Sequence, residues 1–305
     1  MPNVPVNAAT CTLIAGDLEA VFLPAQGMLA ASLRHRGAQI LRRVGDLKTA
    51  AAKGSTAGIA LLHPWANRLD GSRYRAAGRE VQLKTSSPLL HLDANGLPMH
   101  GVPWSRLAWA PIESQHNRLS ARLEWNRTDL LDIFPFPHRI ELTATLRPEA
   151  LTLETTLIAG TDAPVPISFG FHPYFGVPDL PRAKWRLGLP PMHRLLLDER
   201  GIPSGARESW SRFDSEIGDR SFDDGFALLD TCPSFSLTGG GRRITVEFLA
   251  GYPYAQIFAP NEQEFVAIEP MTAPTSALTS GRGLRVVAPG DRFEAAFRVR
   301  VEAQV

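Results

Sequence analysis

Two titratable residues stand in segments that suit acid–base chemistry. His172 lies in the aromatic run Phe169–Phe175, where Pro173 favours an extended backbone and the rings could stack on the apolar face of a pyranose and exclude water. Glu269 directly follows the apolar segment Phe265–Ile268. Burial at that position would raise the pKa of the carboxyl group toward that of a working general base. A histidine acid and a glutamate base are therefore candidate partners.

Other segments carry polar groups suited to binding hydroxyls. Asn67 and Arg68 place an amide beside a guanidinium, which together offer several fixed donors for sugar hydroxyls or a ring oxygen. His100 is followed by Gly101, which would let the backbone approach a ligand closely. The run Ser221–Phe226 adds a pair of carboxylates in what the pattern predicts to be a loop.

Each of these segments also has an ordinary structural explanation when it is taken alone. Arg68 could be an exposed arginine after a turn, and His100 could simply be packed in a loop. The aromatic run could be core, and Glu269 could be an exposed strand end. Asp-Asp-Gly is most often a turn. Only their joint occurrence can separate the functional interpretation from the structural one.

The elements that must hold these residues are predicted to be β-strands. Apolar and polar residues alternate with a period of two over Ile140–Arg147 and Arg292–Glu302, as expected for strands with one buried face. The same alternation occurs over residues 119–126, 151–158 and 244–249. The only helical signal is the alanine-rich stretch 48–60, which Gly54 and Gly58 interrupt. We expect an all-β, antiparallel sandwich or barrel in one domain spanning residues 1–305.

Composition and net charge limit the classes of molecule that the protein is expected to bind. The chain has 305 residues, and 32 basic against 31 acidic side chains leave a net charge of +1, which provides no electrostatic footprint for nucleic acid or an anionic membrane. Cys11 and Cys232 have neither disulfide-framework nor zinc spacing, so reduced thiols in the cytoplasm are expected. Met1–Pro5 shows no basic segment followed by an apolar run, and no stretch approaches eighteen apolar residues, so we expect a soluble, untargeted protein.

Five motifs with a shared order along the chain point to a family. They are Ala66-Asn67-Arg68, Met99-His100-Gly101, His172-Pro173-Tyr174-Phe175, Asp223-x-x-Phe226 and Glu269-Pro270. In this combination the sequence resembles the aldose 1-epimerase (galactose mutarotase) family over almost its whole length. Gly27–Leu41 is similar to the family's opening strands, and Tyr252–Phe258 to its late strand that carries a glutamine.

The resemblance implies a fold, an activity and a set of site residues. The fold would be a large, distorted antiparallel β-sandwich, the galactose mutarotase-like supersandwich. The activity would be an isomerase reaction that interconverts the α and β anomers of a free hexose of the galactose or glucose class, with no cofactor and no metal. Glu269 would be the general base and His172 the general acid. The implied substrate contacts are Asn67, Arg68, His100, Asp223 and Gln256. Asp223 is preferred to Asp224 by its spacing to the next aromatic residue, although a slip of one residue stays open.

Three alternatives remain at this stage. A hexose-6-phosphate 1-epimerase would need further cations near the cleft, for which the candidates are Arg34, Arg36, Arg73, Arg75 and Arg79. A non-catalytic sugar-binding protein is disfavoured because Glu269 and His172 are both present. A metal site using His63, His91 and His100 lacks ligand spacing. The choice between monomer and homodimer also stays open.

Overall fold

Strands form most of the molecule, as the period-two pattern predicts. The computed structural model describes residues 10–42, 47–53 and 55–304; Met1–Pro5 and Gly54, on which two expectations rest, lie outside them. The strands of the described part are β1 (Cys11–Ala15), β2 (Leu18–Leu23), β3 (Leu29–His35), β4 (Ala38–Gln39), β5 (Ile59–Leu62), β6 (Arg73–Ala76), β7 (Arg79–Gln82), β8 (His91–Leu92), β9 (Pro98–Met99), β10 (Ala110–Ser114), β11 (Arg118–Trp125), β12 (His138–Arg147), β13 (Ala150–Ala159), β14 (Val165–Ile167), β15 (Gly170–Phe175), β16 (Arg186–Leu189), β17 (Met192–Leu197), β18 (Pro203–Trp210), β19 (Phe213–Glu216), β20 (Phe222–Leu228), β21 (Ser234–Gly239), β22 (Arg242–Ala250), β23 (Tyr254–Ala259), β24 (Val266–Met271), β25 (Arg285–Val287) and β26 (Arg292–Ala303).

Helices are few and short in the described residues. They are α1 (Leu47–Lys53), α2 (Thr128–Leu131), α3 (Ala277–Ser280) and two 3₁₀ helices, Trp104–Arg106 and Arg182–Lys184. The alanine-rich stretch therefore begins as a helix and ends as strand β5. Gly58 makes this change possible, because its φ is +53° and a Cβ there would lie 2.1 Å from the carbonyl oxygen of Ala30. Within the described residues, no helix is long and apolar enough to cross a membrane.

Two large antiparallel sheets dominate the fold. The first has eleven strands in the order β1-β2-β3-β5-β15-β24-β23-β20-β17-β18, with β4 paired to β3. The second has nine strands in the order β10-β11-β12-β13-β26-β22-β21-β16-β19. The small pairs β6–β7, β8–β9 and β14–β25 complete the described strands. The expected all-β, antiparallel sandwich is confirmed, whereas the single domain over residues 1–305 stays a prediction.

The core lies between the two sheets and follows the alternation in the sequence. In β12 the residues Ile140, Leu142, Ala144 and Leu146 are buried, and their neighbours are at least partly exposed, Arg147 most of all. The ring of Phe171 in the first sheet lies 5.1 Å from that of Phe297 in β26 of the second. Apolar side chains from both sheets thus meet in one layer, which removes them from water.

The central strands of the first sheet behave differently. All six residues of β15 and all six of β24 are buried, so neither strand shows an exposed face. His172 lies in β15, in the extended backbone that was expected, whereas the expectation that Glu269 follows the end of an apolar strand is wrong, because β24 continues through it. Neither strand shows the alternating pattern. The reason is that a second layer of chain covers the face away from the core, and alternation then disappears from the sequence.

Asp223 also lies inside a strand, β20, rather than in the expected loop. Gly225 explains the misleading turn signal. It pairs with Gln256 in the ladder, and a Cβ there would come within 3.2 Å of the Gln256 side-chain oxygen. This glycine therefore serves close packing beside a functional side chain, not a turn.

Candidate active site

One cavity of about 290 Å³ contains all the site residues expected from sequence. It lies against the first sheet. The expected residues that line it are Asn67, Arg68, His100, His172, Asp223, Gln256 and Glu269. The lining residues that sequence reasoning did not assign to a sugar-binding site are Arg42, Ser55, Thr56, His91, Met99, Tyr174 and Phe258. The fold thus brings together residues that are spread over more than two-thirds of the chain.

Strand register aligns the floor of the cavity. Tyr174 pairs with Ala267 across β15 and β24, so His172, two residues earlier, stands opposite Glu269. On the other side of β24, Gln256 pairs directly with Glu269. Residues opposite one another in neighbouring strands point to the same face. The histidine, the glutamate and the glutamine therefore form one row across three adjacent strands.

The histidine and the glutamate are in contact. His172 Nε2 lies 3.3 Å from Glu269 Oε1, and the side chains are 5% and 2% exposed. No protein group in the described residues hydrogen-bonds Glu269 Oε2 or His172 Nδ1. Burial raises the pKa of Glu269, and the negative Asp223 adds to this, while Arg68 opposes it. Burial likewise lowers the pKa of His172. Burial therefore favours the uncharged form of both side chains, so that either member of the pair can hold a proton.

Tyr174 and Thr56 hold the histidine ring. The Tyr174 ring stacks on that of His172 at 4.1 Å with an angle of 17° between the planes. The Tyr174 hydroxyl lies 3.1 Å from His172 Nε2 and shares a further hydrogen bond with the Thr56 hydroxyl. Tyr174 was named only as part of a family motif. Its role could have been read from its position two residues after His172, since such residues share a strand face.

Asn67 and His100 fix each other. The Asn67 backbone N–H donates to His100 Nδ1 at 3.2 Å, and the His100 backbone N–H donates to the Asn67 carbonyl at 2.9 Å. Both residues have left-handed backbones, with φ of +57° and +61°. Since Nδ1 accepts, the proton of the neutral ring is on Nε2. Burial lowers the pKa of His100 to about 3. At neutral pH this side chain is an uncharged hydrogen-bond donor.

Gly101 has a different partner from the one expected. A Cβ at this position would lie 2.3 Å from the carbonyl oxygen of His63, and φ is +65°. The close approach is thus between two segments of this chain and not toward a ligand. It brings the segment of His100 against the segment that leads to Arg68, because the Val102 N–H donates to the His63 carbonyl at 2.8 Å.

Arg68 is held by a carboxylate that sequence reasoning missed. Its Nε donates to Asp93 Oδ2 at 2.6 Å, and its Nη1 donates to Asn67 Oδ1 at 3.2 Å. Asp93 Oδ1 also accepts the backbone N–H groups of Asn95 and Leu97, each at 2.9 Å. Burial alone would raise the pKa of Asp93, but these N–H groups and the guanidinium together lower it. The Asp-x-Asn-Gly turn was the available signal, although a turn does not predict its partner.

Asp223 faces the cavity and Asp224 does not. Gln256 Nε2 donates to Asp223 Oδ1 at 2.7 Å. Asp224 instead pairs with Arg194 Nη2 at 2.7 Å. The Asp223 side chain keeps accessible surface, yet the cavity walls displace enough water to raise its pKa, which the charge of Arg68 opposes. The choice of Asp223 by its spacing agrees with this placement.

The residues on which two alternatives rested lie elsewhere. Arg34, Arg36 and Arg73 contact Glu19, Asp17 and Glu80, and none of the five candidate arginines lines the cavity. Of the three histidines considered as metal ligands, His91 and His100 line the cavity and His63 does not.

His63 turns into the core instead, where its Nε2 lies 3.0 Å from His138 Nε2. Among the described residues, no group of three or more histidine, cysteine, aspartate or glutamate side chains is placed to hold a metal ion.

Comparison with known proteins identifies the family to which the chain belongs. The family model for aldose 1-epimerase matches residues 10–300. The chain belongs to the aldose 1-epimerase family. Among solved structures, a putative aldose 1-epimerase from Escherichia coli K12 is 21% identical, with 96% of this chain and 99% of that chain covered and a TM-score of 0.76. A Synechocystis sp. PCC 6803 protein is 23% identical over 100% of both chains, with a TM-score of 0.80.

An aldose epimerase homologue from C. elegans is 16% identical, covers 97% of this chain and 99% of its own, and has a TM-score of 0.78. At these identities the likeness shows that the fold of this aldose 1-epimerase family member is shared. No curated protein matches the sequence significantly.

Proposed function

We propose that the protein is an aldose 1-epimerase that interconverts the α and β anomers of a free hexose of the galactose or glucose class. The observation that carries this proposal is the buried contact of 3.3 Å between His172 Nε2 and Glu269 Oε1. This acid–base pair forms part of a cavity whose other walls present amide, guanidinium and carboxylate groups. Such groups match the hydroxyls of a sugar.

The reaction needs two proton transfers. In the reactive state Glu269 is ionised and His172 carries the proton that the pair shares. Glu269 takes the proton of the C1 hydroxyl, and His172 gives its proton to the ring oxygen. The bond between C1 and the ring oxygen breaks, and C1 becomes an aldehyde. After rotation about the C1–C2 bond, the same transfers in reverse close the ring as the other anomer. A positioned acid or base contributes about 10²–10⁴-fold to the rate.

The remaining residues bind and orient the sugar. His100 donates from Nε2 without a charge of its own, so it can hold the ring oxygen or a hydroxyl throughout the pH range in which enzymes work. Arg68 stabilises negative charge that develops on oxygen in a site that excludes most water. Asn67, Asp223 and Gln256 contact hydroxyls. Asp223 accepts hydrogen bonds and also keeps the pKa of Glu269 high, which strengthens the base.

Two rivals have weaker support. A hexose-6-phosphate 1-epimerase was expected to use arginines that lie away from the cavity. A non-catalytic binding protein would not need an acid and a base in contact.

We also propose that the protein acts in the cytoplasm on a small-molecule sugar, as a monomer or homodimer. The free thiols of Cys11 and Cys232 agree with a reducing compartment.

Polarimetry tests the proposal. Freshly dissolved α-D-galactose and α-D-glucose are followed with and without the protein, at neutral pH and without added metal. We expect faster relaxation to the same final rotation, and the two rates rank the sugars. If neither sugar relaxes faster, the proposed activity on free hexoses is wrong.

A further inference from the structure

Two turns of the same construction meet the guanidinium of Arg68. One comprises residues 93–97, and the other comprises residues 198–202, which join β17 to β18. In each turn an aspartate at the first position accepts the backbone N–H groups two and four residues later, and a glycine at the fourth position has a left-handed backbone. The first turn reaches the guanidinium through the carboxylate of Asp93. The second reaches it through Gly201, and we call it the Gly201 turn.

Gly201 leaves no room for a side chain beside Arg68. A Cβ at this glycine would lie 3.2 Å from Arg68 Nη1, which is tighter than a normal van der Waals contact, and 3.5 Å from its Cζ. Arg68 is not free to move away, because its Nε is held by Asp93 at 2.6 Å and its Nη1 by Asn67 at 3.2 Å. The missing side chain at position 201 is therefore part of how the guanidinium is placed.

Contacts outside the cavity hold the Gly201 turn itself. Arg200 Nη1 lies 2.7 Å from Oδ1 of Asp70, two residues after Arg68. Arg282 donates to two backbone carbonyl oxygens at the start of β18, at 2.6 Å and 3.1 Å. None of residues 198–202, all of which the structure describes, lines the cavity. Any effect of the turn on catalysis must therefore be indirect.

We propose that Gly201 is a positioning residue for the epimerase reaction. Because it carries no side chain, the turn packs against the guanidinium and keeps Arg68 aimed at the oxygen on which negative charge develops. The inference rests on the proposed function, in which Arg68 stabilises that charge, and it adds a residue that does not touch the sugar. Such stabilisation depends on donors that are in place before the reaction, and a displacement of about 1 Å can cost on the order of 10²-fold in rate.

A double-mutant cycle tests the proposal, because it separates an effect that passes through Arg68 from a general loss of structure. The variants are Gly201→Ala, Arg68→Gln and the two combined, with kcat and KM measured by polarimetry on galactose and glucose. The matched control is Gly37→Ala, in the turn between β3 and β4. Gly37 and Gly201 share a φ of +77°, but a Cβ at Gly37 would meet nothing within 4 Å. Both alanines therefore carry the same backbone strain, and only one of them meets the guanidinium.

We expect Gly201→Ala to lower kcat about tenfold and to change KM by less than about twofold, because the displaced donor acts on charge that develops in the transition state. Gly37→Ala should leave both constants unchanged. When Arg68 is already replaced by Gln, adding Gly201→Ala should change kcat by less than about twofold, since no guanidinium remains to be displaced. The proposal is overturned if the two alanine variants behave alike, or if Gly201→Ala lowers kcat equally with and without Arg68.

A second readout does not depend on activity. In ¹H–¹⁵N NMR spectra the Nε–H signal of Arg68, assigned by its loss in Arg68→Gln, reports the hydrogen bond to Asp93. We expect this signal to shift in Gly201→Ala and to stay in place in Gly37→Ala, and an unmoved signal in both would overturn the proposal. If the unchanged protein accelerates neither sugar, the epimerase function is rejected, and the NMR signal still decides whether Gly201 places Arg68.

Discussion

The two sheets use their strands in different ways. In the nine-stranded sheet, β12 and β26 bury one face and expose the other, and their sequences alternate accordingly. In the middle of the eleven-stranded sheet, β15 and β24 are buried on both faces. One of those faces packs into the core through Phe171, and the other carries His172 and Glu269 into the cavity. Strands with one buried face stabilise the fold, and strands with two buried faces can also hold buried titratable groups.

This comparison predicts that catalysis and stability separate when single residues are changed. The largest effect is expected for Glu269→Gln, which keeps the shape of the side chain and removes the base. We expect kcat to fall about 10²–10⁴-fold. His172→Gln should lose activity on a similar scale, because the acid and the base act on the same bond. Polarimetry on folded variants measures both, and activity near that of the unchanged protein would remove the pair from the mechanism.

The same Glu269→Gln variant should not lose stability. An unfolded glutamate ionises above its ordinary pKa of about 4.3, whereas the buried one holds its proton to higher pH because burial raises the pKa. Folding then takes up a proton, and this disfavours the folded state increasingly as the pH rises. His172, whose pKa burial lowers, acts in the opposite sense only below its ordinary pKa of about 6.5. At pH 8 we expect the melting temperature of Glu269→Gln to equal or exceed that of the unchanged protein.

In the strands with one buried face, a substitution in the core is expected to lower stability and leave activity unchanged. Leu146→Ala in β12 removes a fully buried side chain and should cost about 2–5 kcal/mol of unfolding free energy. Activity per folded molecule should stay unchanged, because Leu146 lies outside the cavity. Glu154→Ala, on the exposed side of β13, serves as a control and should change stability by less than about 0.5 kcal/mol. Chemical denaturation measures both, and equal losses would contradict the assignment of the core.

Substitution of Asp93 is expected to change activity less than substitution of Glu269 or His172, and it tests the electrostatic contribution of Arg68. Asp93→Asn keeps an oxygen for the backbone N–H groups but no longer offsets the charge of Arg68. The added positive potential should lower the pKa values of the His172–Glu269 pair, and both limbs of the pH profile should move to lower pH. We also expect kcat/KM to fall on the order of tenfold. Asp214→Asn, at an exposed ion pair with Arg186, is the control. An unmoved pH profile would show that Asp93 only supports the loop.

Different sequence signals predicted the strands with one buried face and the identity of the site residues. Alternation alone located β12 and β26, because water on one face imposes a period of two. His172 and Glu269 came from motifs, since strands covered on both faces carry no period. The position of Glu269 inside β24, and not after the end of a strand, was missed for the same reason.

Contacts between residues far apart in the chain also could not be predicted from the sequence. Asp93 holds Arg68, and Arg42 reaches the cavity over Tyr174, through contacts that only the folded chain creates. The family resemblance preferred Asp223 to Asp224 by its spacing to Phe226, with a slip of one residue left open. Strand alternation, which sends neighbouring side chains to opposite faces, explains why only one of the two faces the cavity, but the sequence predicted a loop there.

The central claim is that the pair opens the ring by breaking the bond between C1 and the ring oxygen. ¹³C NMR of glucose labelled with ¹³C at C1 and ¹⁸O on the C1 hydroxyl tests this directly, because ¹⁸O shifts the carbon signal. The account predicts that the protein speeds exchange between the anomers while the ¹⁸O label is retained through many interconversions. Loss of the label at the rate of anomer exchange would show that the bond to the C1 hydroxyl breaks instead, and would contradict the roles given to His172 and Glu269.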